Sequence, residues 1–295
     1  MVTPEPRRFA VKGRWFRSFV ATAVLAALSL APGSHARVDA QSAAVTPWTG
    51  ARTADGQPDI HGTWRPVIGG GRSLEDPGVP GGIEEEIARS QGKSKKNPSR
   101  VVDPPDGKVP YQPWAAALRQ HQMENEIGAT KPEHIDTQAR CLILGAIRQS
   151  ANANEFLQTP GLVVLINEAY HNYRVIPVDG RPELAGTIKL WGGDSRGRWE
   201  GNTLVVEVKN LNGKNRLSHD GDFLSDTARI VERYTFVDAE HMNYEATIDD
   251  AKVFTRTWKI AIPNVRAKPH PPDEIWEEAC HEGERSAEIM LQESK

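Results

Sequence analysis

From Pro160 onward the chain is a succession of short segments in which apolar and polar residues alternate between turn residues, and this pattern narrows the possible folds most. Strands are expected at Leu162–Glu168, Tyr173–Val178, Thr203–Lys209, Ala228–Val237, Met242–Ile248, Val253–Ile262 and Glu274–His281. Side chains alternate across a strand. Ala228, Ile230, Glu232, Tyr234 and Phe236 therefore share one face, as do Met242, Tyr244, Ala246 and Ile248. Most gaps between the later strands are too short for a crossover helix, so neighbours run antiparallel. A meander of this length closes into a barrel or, as the alternative, stacks as a sandwich.

The stretch Asp179–Val208 carries the densest concentration of polar and aromatic residues, with Trp191 and Trp199 beside Asp194, Arg198 and Glu200. Gly201-Asn202 marks a tight turn before Leu204-Val205-Val206. Gly192, Gly193 and Gly197 read as turn glycines, because no strand–glycine–helix order accompanies them as a phosphate loop requires.

At the N-terminus, Arg7, Arg8, Lys12, Arg14 and Arg17 precede the uncharged run Phe19–Ala31, then Pro32-Gly33 and the small-residue site Ser34-His35-Ala36. Residues 1–36 read as a secretory signal peptide, which implies a periplasmic or extracellular protein without a membrane span in the mature chain. Arg7-Arg8-Phe9 fits a twin-arginine signal only loosely, and general export is favoured. The full chain has a net charge of −3, and cleavage after Ala36 takes it to about −7. Such a balance argues against a nucleic-acid partner, which needs a basic face. Two cysteines, Cys141 and Cys280, are then expected to bridge in an oxidising compartment. That link closes a loop of about 140 residues, worth about 4–5 kcal/mol in the chain-entropy account.

Residues 37–59 read as a flexible lead-in, and 60–295 as a single β-rich domain. Within it, the Gly/Pro-rich arm 69–111 is either an ordered lid or disordered, with a short helical candidate at Ile83–Ser90 and a solvated basic run at Lys93–Lys96. The spacing of Trp114, Leu118, His121, Met123 and Ile127 predicts a helix over 114–127. Another short helix, Glu282–Glu293, would pack over a barrel end.

Chemistry is expected where carboxylates and bases fall among apolar residues. Glu232 is the odd carboxylate on an apolar strand face, available either as an acid–base group or as half of an ion pair with arginine. Arg174 shares a face with Asn172 and Ile176, opposite His171, Tyr173 and Val175. The loop Leu217–Asp226 holds His219, a candidate general base, among carboxylates that lack the calcium-loop pattern. No zinc spacing, serine-nucleophile elbow or dinucleotide fingerprint occurs, so neither metal nor cofactor is expected.

Gly62-Thr63-Trp64 resembles, over three residues, the Gly-x-Trp that enters the first strand of lipocalin-like (calycin) barrels. A longer likeness runs through Tyr173–Arg181, Trp191, Trp199–Val206, Ser225-Asp226, Glu232-Arg233, Thr247–Asp250 and Glu278–Gly283. Over these motifs the chain resembles a large family of secreted bacterial proteins, from about Cys141 onward. It departs from that pattern at Asn202, where the family commonly has Asp, and at Ala228, near which the family has a histidine.

The resulting expectation is a mainly β, lipocalin-like barrel with a few short helices and a site for a small-molecule or carbohydrate-derived ligand. Its proposed chemistry is metal-independent acid–base catalysis, with His219 or Glu232 moving the proton and Arg174 holding an anionic or carbonyl group. Tyr173, Asp179, Arg181, Trp191, Trp199, Glu200, Arg233 and Trp258 are the candidate ligand-binding residues. The alternatives are a non-catalytic carrier and an envelope interaction module acting through the arm.

Overall fold

The alternating segments form strands largely where the pattern places them, because each offers a continuous apolar face to one core. The computed structural model describes residues 48–68, 73–76, 97–126, 129–169 and 172–268, with positions 275, 288 and 291. The expected signal peptide 1–36, the helical candidate 83–90, the basic run 93–96, His171, Cys280 and nearly all of the expected strand 274–281 and helix 282–293 lie outside the described residues.

Ten strands are described: β1 (Gly62–Pro66), β2 (Val101–Asp103), β3 (Asn154–Thr159), β4 (Leu162–Asn167), β5 (Tyr173–Pro177), β6 (Asp194–Glu200), β7 (Thr203–Lys209), β8 (Arg229–Phe236), β9 (His241–Asp249) and β10 (Trp258–Arg266). Their order is β5-β4-β3-β1-β10-β9-β8-β7-β6, antiparallel throughout. The sheet is therefore two meanders, β3–β5 and β6–β10, joined by the first strand of the chain. Trp64 is the hinge of that junction, pairing with Asn154 of β3 on one side and Arg266 of β10 on the other. β2, from the Gly/Pro-rich arm, pairs with β10 where its register shifts at Lys259/Ile260. Part of the arm is thus built into the sheet.

The two end strands, β5 and β6, lie against each other and make the sheet a nearly closed barrel. Gly197 of β6 permits this closure. A Cβ there would lie 2.7 Å from Val178 Cγ1 and 2.8 Å from Ile176 Cγ2, both on branched side chains with little room to turn away. Gly197→Ala is expected to cost about 1–3 kcal/mol through overpacking. Gly186→Ala, at a glycine with nothing within 4 Å, serves as the control. Equal urea midpoints for the two variants would contradict a tight β5–β6 seam.

Inside, the barrel is filled by side chains. Trp64, Phe156, Tyr234, Phe236, Tyr244 and Trp258 are all buried, with Trp64 and Phe236 edge to face at 5.3 Å. The Trp64 indole N–H donates to the Ile60 carbonyl at 3.1 Å, and Arg266 lies 4.4 Å from its ring centre.

Helix α1 spans Pro113–Glu124, opened by proline at its first position, where the missing N–H costs nothing. Of its residues only Ala115 is buried. The expected helix is present, but its apolar stripe is not core: Trp114 is 53% exposed and Leu118 and Met123 each 36%. A one-turn helix α2 (Ala146–Ser150) is buried throughout. Strand β10 starts at Trp258 rather than Val253; Val253 and Phe254 bury their side chains in a turn whose amides donate to the Asp250 carbonyl. Strands β2 and β3 are not among the expected ones, and β6 is expected only at the Trp199-Glu200 arm of its hairpin. Among the described residues, no helix is long and apolar enough to cross a membrane.

Candidate functional site

Period-two alternation turns Arg174 of β5 and Glu232 of β8 into the barrel interior, and the structure joins them. Arg174 Nη1 donates to Glu232 Oε1 at 3.1 Å and Nη2 to Oε2 at 2.5 Å. Nη2 also donates to Ser195 Oγ at 3.1 Å. The Tyr234 and Tyr244 hydroxyls donate to Glu232 Oε1 at 3.1 and 2.9 Å, and Ser150 Oγ lies 3.2 Å from the Tyr234 hydroxyl. Burial alone would lower the Arg174 pKa, but the Glu232 carboxylate outweighs it and the net direction is upward. Burial, reinforced by Glu232, raises the pKa of both tyrosines. Both carboxylate oxygens are engaged, by side chains of β5, β9 and β8 itself, and the guanidinium is held from β8 and β6. This is the geometry of a fixed ion pair.

His219 lies elsewhere. Its loop is anchored by fully buried Asp222, which accepts from the Tyr111 hydroxyl and Arg119 Nε, each at 2.6 Å, and from Ser218 Oγ. Arg148 of α2 donates through Nη2 to Gln138 Oε1 at 2.6 Å and to the His219 ring, 2.9 Å from Nε2 and 3.1 Å from Nδ1, and through Nη1 to both Asp136 oxygens at 2.9 Å. Whichever ring nitrogen carries the lone pair faces a guanidinium donor, which takes up the position a base would use. His219 and Glu232 therefore belong to separate hydrogen-bonded clusters. They do not converge on one reacting position.

The remaining candidates are scattered. Tyr173 is 67% exposed on the outer face of β5. Asp179 and Arg181 form a local exposed pair at 2.6 Å, in which the side chain and backbone of Arg181 lower the Asp179 pKa to about 2. Glu200 pairs with Arg233 at 3.0 Å and with Arg198 at 2.9 Å on the outside of the barrel. Trp199 packs against the core, 6.3 Å from Phe236. Trp258 is fully buried in contact with Phe254. Of the aromatic candidates, Trp191 alone lines a groove.

That groove, about 940 Å³, is open at one side of the molecule. Trp114 and Leu118 of α1, Trp191, Phe223 and Leu224 give it an apolar floor, while Arg140, Lys214, Arg216 and Lys252 face Glu133 and Asp226 across its polar lining. Four cations against two carboxylates leave it positive in a chain of net charge −3. Two of the four are committed: Lys252 pairs with Asp226 at 3.0 Å, and Arg216 donates to the carbonyls of Glu133 and His134. Arg140 is different. Its Nε is buried without a hydrogen-bond partner among the described residues, and burial lowers its pKa against the opposing charges of Glu133 and Asp136. An anion reaching it would supply the missing acceptor.

Apart from Trp191, the groove residues escape notice in the sequence because they come from five separated segments. The available signal was the Trp114/Leu118 pair at i,i+4, which reads equally as a core stripe or a cleft wall. Among the described residues no group of three or more His, Cys, Asp or Glu could hold a metal ion. Cys280 lies outside the described residues, and with it the expected Cys141–Cys280 bridge.

Fold and site together define a mainly β, nearly closed antiparallel barrel with a polar core pair and an external groove. No protein-family model matches the chain, and no curated protein matches it.

Proposed function

We propose that this is an exported ligand-binding protein whose external groove takes a small organic anion with an aromatic or apolar body. The observation that carries this reading is the half-buried Arg140, with an unpartnered Nε, beside an aromatic floor. Ligand sites of this kind are predominantly apolar with a few placed polar groups. Binding is favoured over acid–base catalysis because Glu232 and Arg174 are consumed by each other, the His219 ring already faces the Arg148 donor, and none of the three lines the groove.

Titrating 2-naphthoate into the folded protein by calorimetry tests the proposal. Arg140→Gln is expected to weaken binding by about tenfold or more, the worth of a charge-assisted hydrogen bond, and Trp191→Ala to weaken it through lost contact area. Equal affinity for 2-naphthalenemethanol, or no change in either variant, would refute an anion-directed groove.

A further inference from the structure

Behind the groove lies a smaller void of about 20 Å³, walled by Leu144, Ile147, Leu211, Leu217 and Ile230. It shares Trp191, Asn212, Gly213, Asn215 and Leu224 with the groove, so those residues form the partition between the two. Asn215 fixes the partition. Its amide Nδ2 donates to the carbonyls of Ile143 at 3.0 Å and Trp191 at 3.3 Å, and its Oδ1 accepts from Thr137 Oγ1 at 3.3 Å. Gly145 leaves the space this needs, since a Cβ there would lie 2.7 Å from Asn215 Nδ2. Lys214, between Gly213 and Asn215 in sequence, itself lines the groove but not the void.

A void of that size holds about one water by volume, but a water needs two or more polar partners, and these walls are mainly aliphatic, with the Asn215 amide already engaged by Ile143, Trp191 and Thr137. Left empty, it forfeits dispersion contacts on every wall. A small apolar group would recover them. We infer that the recess is a specificity subsite for a terminal methyl or ethyl group on the anion's apolar body. The ligand class is then an alkyl-substituted aromatic or short-chain carboxylate, with its charge at Lys214 and Arg140 and its alkyl end behind Trp191. This rests on the groove being the ligand site.

The test is the affinity of a 4-alkylbenzoate series, from unsubstituted to butyl, measured by calorimetry on the full folded chain. Methyl and then ethyl are each expected to raise affinity about fourfold, the worth of one buried methylene, with a plateau at propyl when the recess is full. Leu217 lines the recess but not the groove. Leu217→Phe should abolish the gain and leave benzoate binding unchanged, whereas Leu217→Ala should move the plateau to a longer chain. Having variants of opposite sign keeps the test decisive if one of them folds poorly. Benzoate binding with a flat alkyl series, or a gain that survives Leu217→Phe, overturns the recess alone. If neither benzoate nor 2-naphthoate binds, the groove reading falls and the recess falls with it.

Discussion

Glu232→Ala is expected to destabilise the folded chain by about 3–5 kcal/mol, the cost of leaving one member of a buried ion pair without its counter-charge. The reasoning is local. Arg174 is buried beside a fully buried carboxylate, so after the change its charge keeps only the Ser195 and Tyr234 hydroxyls, at 3.1 and 3.5 Å. The Tyr234 and Tyr244 hydroxyls also lose their acceptor. Replacing both partners, as Arg174→Met with Glu232→Leu, is expected to recover part of the loss. Apolar groups avoid the unpaired charge, but the two phenols still lack an acceptor. Urea unfolding followed by tryptophan fluorescence measures both. A Glu232→Ala protein within about 1 kcal/mol of the parent would mean that water reaches Arg174, and would reopen the barrel interior as a site.

Arg148→Met is expected to have an effect of the same size, about 3–5 kcal/mol, because Arg148 and Asp136 are both almost completely buried. Asp136 keeps only the backbone N–H of Gln138, at 2.7 Å, against the two guanidinium bonds it loses. For a chain of this size that corresponds to a melting temperature lower by about 10 °C. His219→Ala should cost much less, since Arg148 retains Asp136 and Gln138 after losing the imidazole. Calorimetric melting of the two variants decides the matter. Equal losses would mean that the imidazole itself, rather than the ion pair, holds this cluster together.

The strand pattern was legible because period two is written into each segment: the inward set of β8 and β9, Ile230 to Phe236 and Met242 to Ile248, is buried as alternation requires. The order of the strands was not. β1 lies between β3 and β10, partners separated from it by about 90 and 190 residues, and no local signal encodes so distant a pairing. β6 was partly hidden because its glycine, needed at the barrel seam, reads as a turn. The site divided in the same way. Alternation put Glu232 on an apolar face, but it left open which face of β5 turns inward, and the meeting of Arg174 with Glu232 depended on barrel closure. The groove draws on α1, the segment around Arg140, and the loops at 212–216, 223–226 and 252–253. A tryptophan and a leucine four apart on a helix look the same in sequence whether they wall a cleft or fill a core.

The most direct measurement is a proton–nitrogen correlation spectrum of the tryptophan indole N–H groups during titration with 2-naphthoate. Trp114 and Trp191 line the groove, and Trp64 and Trp258 are buried in the barrel core. If the groove is the ligand site, the Trp114 and Trp191 signals move with ligand while those of Trp64 and Trp258 stay in place. Movement of Trp64 and Trp258 with Trp114 and Trp191 unchanged would put the ligand inside the barrel and contradict that reading.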